Sequence, residues 1–215
     1  MKTIAAILLV GLISLQAGEF INLNFDSGNP INLTPNPLGS GEYVGQTSEL
    51  LPGWIVLYGN TNESHINYTT TFGGKLGVTL EANANSFTNY LGRFSVGINS
   101  RLILPGPIES GFPITISQTG HVPSDVIGLR YISGLSGPEV KIDGNLATTL
   151  SPGLLDLRQY AGTDITLTFG YRGGLGDSFD VIGFTHVPEP STWALAGIGI
   201  AVLSYLHQKK KRGRI

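Results

Sequence analysis

Four acidic residues, Glu42, Glu49, Glu63 and Glu81, are the side chains with the most chemistry to offer. Two carboxyl groups held about 5–10 Å apart across a glycosidic bond are enough to hydrolyse it. Their spacing in the chain does not by itself pair any two of them, and Asp and Glu are also the ordinary covering of an acidic protein surface. Tyr43, Tyr58, Tyr68 and Tyr90 are candidates for carbohydrate contact, because an exposed ring can stack on a sugar face while its hydroxyl hydrogen-bonds. Tyrosine is equally at home in strands for reasons of propensity alone. His65, His121 and His186 are scattered without metal-ligand spacing and are expected at surfaces or strand ends. There is no Gly-x-Ser-x-Gly nucleophile turn. Gly173-Gly174-Leu175-Gly176 lacks the Lys and helix of a phosphate cradle and is expected to form a turn.

The elements that must position these groups are strands. Thirty glycines and twelve prolines punctuate short apolar runs, and no stretch of helical periodicity stands out between Phe20 and His186. Alternation is clearest over Thr163–Tyr171, where Ile165, Leu167, Phe169 and Tyr171 share one face and Thr166 and Thr168 the other. Ile127, Leu129 and Tyr131 repeat it. Val140-Lys141-Ile142 runs into Asp143-Gly144, whose residues supply the positive φ of a tight hairpin. Trp54 follows Pro52-Gly53 and opens a Trp-Ile-Val run expected to enter the core, while Asn22–Ser40, rich in Asn, Pro and Gly, is expected to form long loops. The pattern predicts an all-β chain with one two-layer sandwich over residues 18–187. With no cysteine in 215 residues, that sandwich has to stand on packing.

The two ends read differently from the middle. Residues 1–17 carry Lys2, an apolar run from Ile4 to Leu15 and a small residue before Gly18, the layout of a secretory signal peptide, with cleavage expected after Ala17. Trp193–Leu206 is interrupted only by Ser204 and Tyr205 and would make a short transmembrane helix of about 21 Å. Lys209, Lys210, Lys211, Arg212 and Arg214 then form a stop that keeps the terminus on the cytoplasmic side. These five account for much of the chain's 13 basic residues, so the body is acidic although the net charge is only -2. No basic stripe lies outside the tail, which argues against nucleic-acid binding.

Pro188-Glu189-Pro190, the apolar stretch and the basic cluster together resemble the PEP-CTERM sorting signal of exopolysaccharide-producing Gram-negative bacteria. The resemblance implies that residues 188–215 are a processing substrate, recognised at Pro188, Glu189 and Pro190 by an exosortase, a membrane-embedded protease-transpeptidase. A GPI signal would end on its apolar tail without a basic stop. Further upstream, Leu154–Gly162, the strand from Ile165 and Asp177–Phe184 resemble the last third of a galactose-binding-like jelly roll, with Leu157 and Tyr160 plugging the end of the sandwich and Gly162 freeing the turn. That likeness implies a structural calcium shared by Asp26 and Asp180, completed by other oxygens.

The sequence therefore points to an exported protein, held at the membrane with its sandwich outside and then passed to the cell surface or matrix. Its expected partners are an exosortase, membrane lipid through the C-terminal helix, and polysaccharide. A non-catalytic body associated with exopolysaccharide or biofilm matrix is the leading reading. A secreted glycan-acting hydrolase or lyase, and a purely structural matrix protein, are the alternatives.

Overall fold

In the computed structural model, residues 17–36, 42–70, 77–82, 93–99, 114–134, 137–171, 177–187 and 200 are described. The first half contributes β1 (Thr34–Pro35), β2 (Tyr43–Gln46), the single helical turn α1 (Thr47–Leu50), β3 (Ile55–Tyr58), β4 (Thr61–Asn62), β5 (His65–Thr69), β6 (Gly77–Ala82) and β7 (Phe94–Asn99). The second contributes β8 (Ile114–His121), β9 (Val126–Ser133), β10 (Glu139–Ile142), β11 (Asn145–Leu146), β12 (Thr149–Ser151), β13 (Leu154–Asp156), a 3₁₀ turn at Arg158–Tyr160, β14 (Asp164–Tyr171) and β15 (Asp177–His186).

These strands form two sheets. One has the order β1-β2-β5-β6-β7-β15-β9-β13-β12 and the other β11-β10-β14-β8-β3-β4. Among the described residues the strands pair antiparallel except β5 with β6, where Thr69 faces Glu81. The β14 alternation is as the sequence predicts: Ile165, Leu167, Phe169 and Tyr171 are buried, and β14 pairs with β8 along its whole length from Asp164↔His121 to Tyr171↔Ile114. Asp143 and Gly144, at φ 50° and 79°, make the tight turn between β10 and β11. The alternation expected from Ile127 does not hold throughout β9. Leu129 is fully buried, but at the start of the strand it is Val126 that enters the core, opposite His186, where the register of β15 shifts. An irregularity of this kind inserts a residue and turns the side chains over.

Aromatic rings join the two layers. Phe169 of β14, in the smaller sheet, stacks on Phe179 of β15, in the larger, with centroids 4.8 Å apart. Trp54 lies 6.0 Å from Phe169, as its expected core position requires. Phe25 comes from the irregular segment before β1 and fills the space beside them, 5.3 Å from Trp54 and 5.7 Å from Phe179. It does so from a left-handed backbone, φ 62°, a conformation that costs a non-glycine residue free energy and persists only when the surroundings hold it. Asn22 shares that geometry, and its carbonyl accepts the Trp54 indole N–H at 3.0 Å. The loop before β1 is thus tied into the core at Phe25 and Asn22.

The segment around the 3₁₀ turn packs against the core. Leu157 is fully buried, Tyr160 packs against the core, and Gly162 has φ 75°. Because Phe169 touches Trp54, Tyr131 and Phe179, it is the side chain whose loss should cost most. Phe169→Ala is expected to lower unfolding free energy by about 3–5 kcal/mol, measured by chemical denaturation.

Candidate functional site

An open cleft of about 720 Å³ lies beside α1, β3 and the β4–β5 connection. Gln46, Thr47, Ser48, Asn62, Glu63, Ser64 and His65 give it polar walls, and Trp54 and Ile55 give it an apolar floor. Local structure explains these positions. Thr47 at the start of α1 bonds to the β5 side twice, through its N–H to the Ser64 carbonyl and its hydroxyl to the Glu63 carbonyl, both at 2.8 Å. Those bonds set α1 against residues 63–65. Ile55 is half exposed, since its neighbours Trp54 and Val56 take the core face of the strand. Ser64 Oγ and His65 Nδ1 are 2.9 Å apart. A cleft with amide, hydroxyl and carboxylate groups around an apolar floor suits a polyhydroxylated ligand with one apolar face.

Of the four acidic candidates, only Glu63 lines this cleft. Glu49 accepts the Asn32 side-chain amide at 2.9 Å. Glu42 and Glu81 are buried, which corrects the expectation of a solvated acidic face. For Glu81 the reason is a second buried layer. Val78 and Leu80 of β6, Phe94 and Val96 of β7, and Phe179 and Val181 of β15 point into the sandwich, so the alternating residues Thr79, Glu81, Ser95, Ser178 and Asp180 occupy the other face of the large sheet, and they too are buried. Glu81 reaches across β7 in this layer: Ser178 Oγ donates to its Oε2 at 2.8 Å, and a Cβ built on Gly97 would stand only 2.6 Å from its Oε1. Gly97 is therefore the gap through which the carboxyl group passes. The four acids do not assemble into an acid–base pair at the cleft.

The tyrosines also separate. Tyr43 is exposed on β2, opposite Tyr68. Tyr68 packs edge-on against Phe94 at 6.4 Å and is partly buried. Tyr58 is not an open sugar platform, because its hydroxyl accepts the Val78 N–H at 2.7 Å over Gly77. Burial pushes the Tyr58 phenol above its ordinary pKa, the Val78 N–H works the other way, and the nearby Glu63 charge raises it further. Tyr90 lies outside the described residues, and none of the other three lines the cleft.

Asp26, expected to share a calcium ion with Asp180, takes hydrogen bonds from within the chain. Asp26 Oδ1 accepts the N–H groups of Arg93 and Phe94, at 2.5 and 3.3 Å, and its Oδ2 accepts the Asn24 amide at 3.0 Å. A carboxylate so occupied caps the start of β7, whereas calcium asks for six to eight oxygen ligands. Asp180 is fully buried in the polar layer. Among the described residues no three His, Asp or Glu side chains converge as a metal ion would require.

His121 and His186 are each the last residue of a strand, and each holds a carboxylate. His121 Nδ1 is 2.7 Å from Asp164 Oδ1, and His186 Nδ1 is 2.8 Å from Asp125 Oδ2. The sequence placed them at strand ends; their partners are brought in by the β8–β14 register and by the turn after β8. The Ala17 backbone N–H, followed by His121, holds the Asp164 carboxyl below the usual carboxylate range. Beyond His186 the chain enters the expected sorting segment. Pro188, Glu189, Pro190 and the basic residues Lys209–Arg214 lie outside the described residues, as does the expected signal peptide before Ala17. Among the described residues no helix is long and apolar enough to cross a membrane.

A family model described as the PEP-CTERM protein-sorting motif matches residues 186–210, beginning at the last residue of β15. The motif implies export and recognition by an exosortase, a membrane processing enzyme. No curated protein and no solved structure matches the chain. The described residues thus form a two-sheet β protein, and the chain carries a PEP-CTERM sorting motif that begins at the last residue of β15.

Two substitutions test this assignment of the acids. Gly97→Ala is expected to displace Glu81 and to cost about 1–3 kcal/mol in denaturant unfolding, as overpacking of a tight site does. Asp26→Ala, by leaving the β7 N–H groups without their acceptor, should cost about 1–3 kcal/mol, and added calcium should leave Tm unchanged in both the wild type and the variant.

Proposed function

We propose that residues 18–187 are the exported, non-catalytic body of a PEP-CTERM protein, a jelly-roll-like sandwich that associates with exopolysaccharide or biofilm matrix. The 188–215 segment is its temporary membrane anchor and exosortase substrate. The observation that carries this reading is the sorting motif at 186–210, whose first residue is the last of β15. The Gln46–His65 cleft supports the glycan part: polar side chains line it together with Ile55 and Trp54.

Glycan-array binding of the processed protein, run beside a reducing-sugar release assay on the bound polysaccharides, tests the reading. Binding without sugar release is expected, with Ile55→Asp weakening it on the order of tenfold, or about 1.4 kcal/mol. Release of reducing ends would favour the hydrolase or lyase. Neither binding nor release would leave a structural matrix protein.

A further inference from the structure

The structure fastens the residues at the expected signal-peptide junction to the body. The Ala17 N–H donates to Asp164 Oδ2 at 2.6 Å, while the other oxygen of that carboxylate meets His121. The Gly18 carbonyl accepts the His121 N–H at 3.0 Å, and Glu19 bridges to His121 in parallel, so the segment meets the end of β8 through a single β-bridge. Phe20 lies over Gly120, where a Cβ would stand 2.6 Å from its ring, and meets Phe184 edge-on at 5.8 Å. The start of the described chain and the strand leading to Pro188 therefore share one end of the sandwich.

We propose that Asp164, oriented by His121, is the binding site for the α-ammonium group created when the signal peptide is removed. Cleavage after Ala17 breaks the Ala17–Gly18 peptide bond by addition of water. The carboxyl product leaves with Ala17, and the Gly18 nitrogen becomes a protonated amine. That nitrogen is one residue from the amide now bonded to Asp164, and adjacent Cα atoms are only about 3.8 Å apart. Cleavage removes the neutral Ala17 donor and supplies a charged one beside the same carboxylate, and charge-assisted bonds of this kind are shorter and stronger than neutral ones. The charged groups around the new terminus are Asp164 on β14, His121 on β8 and Glu19 on the segment itself; Asp125, on the turn that follows β8, is held by His186. Signal-peptide removal would thus complete the end of the body from which the sorting tail departs.

This inference rests on the export reading, and one experiment separates the two. The full chain is secreted from a host without exosortase and purified in detergent. Its N-terminal residue is read by mass spectrometry, and the rate of acylation of its α-amine is followed against pH with an amine-selective reagent. The expected result is a chain beginning at Gly18 whose α-amine titrates about one unit above the ordinary 7.7–8.0, and so reacts about tenfold more slowly near neutral pH than in Asp164→Asn, with Asp164→Glu restoring protection. Circular dichroism of each variant shows whether it has kept its strands, and the pH titration of the wild type stands even if Asp164→Asn does not fold. A chain beginning at Gly18 with an ordinary α-amine overturns the binding site and leaves the export reading intact. A chain still beginning at Met1 overturns both.

Discussion

The stack of Phe169 on Phe179 is the contact on which the rest of the body depends. It is where the two sheets meet, and the chain has no disulfide to share the task. Trp54 and Phe25 enlarge it from one side and Tyr131 from another. Large aromatic side chains carry the greatest apolar burial per residue, so a few of them can hold two sheets together where covalent staples are missing. The indole N–H of Trp54 ends on the Asn22 carbonyl, which brings the irregular first segment under the same constraint.

Phe179 sits on β15, and this links packing to function. β15 lies between β7 and β9 within the larger sheet, pairing with both, and its last residue is the first of the sorting motif. A strand with neighbours on both sides and a core aromatic on its inner face is a firm point from which to hand a tail to a membrane enzyme. The same end of the sandwich receives residues 17–20 through the Phe20–Phe184 contact and the His121–Asp164 pair. The Gln46–His65 cleft is built separately, from α1, β3 and the β4–β5 connection, so it and the sorting end draw on different residues.

The sequence made some of this readable. The apolar alternation of β14, the Asp143-Gly144 turn and the core position of Trp54 follow from local chemistry, and so does the sorting motif, whose three parts are contiguous. The burial of Glu42 and Glu81 was not readable. In Gly77-Val78-Thr79-Leu80-Glu81-Ala82 alternation says only that Glu81 avoids the apolar core, and a face away from the core normally meets water. Gly97, distant in sequence, gives Glu81 its path to Ser178, and nothing local announces that. The engagement of Tyr58 is hidden for a similar reason: its ring suits a surface strand, but its hydroxyl partner, the Val78 N–H, lies twenty residues away. The cleft is assembled from Gln, Ser, Asn and His residues that in sequence look like any polar connection between strands.

A packed body, locked between its sheets at Phe169 and Phe179, carries the start of the sorting motif on β15. Native-state hydrogen exchange on the tail-bearing chain measures this most directly, because amides of the locked strands can exchange only when the whole sandwich opens. Amides of β15 should fall in the slowest class together with those of β14, well behind the exposed edge strands β11 and β12. Exchange of β15 as fast as those edges, while β14 stays protected, would contradict it.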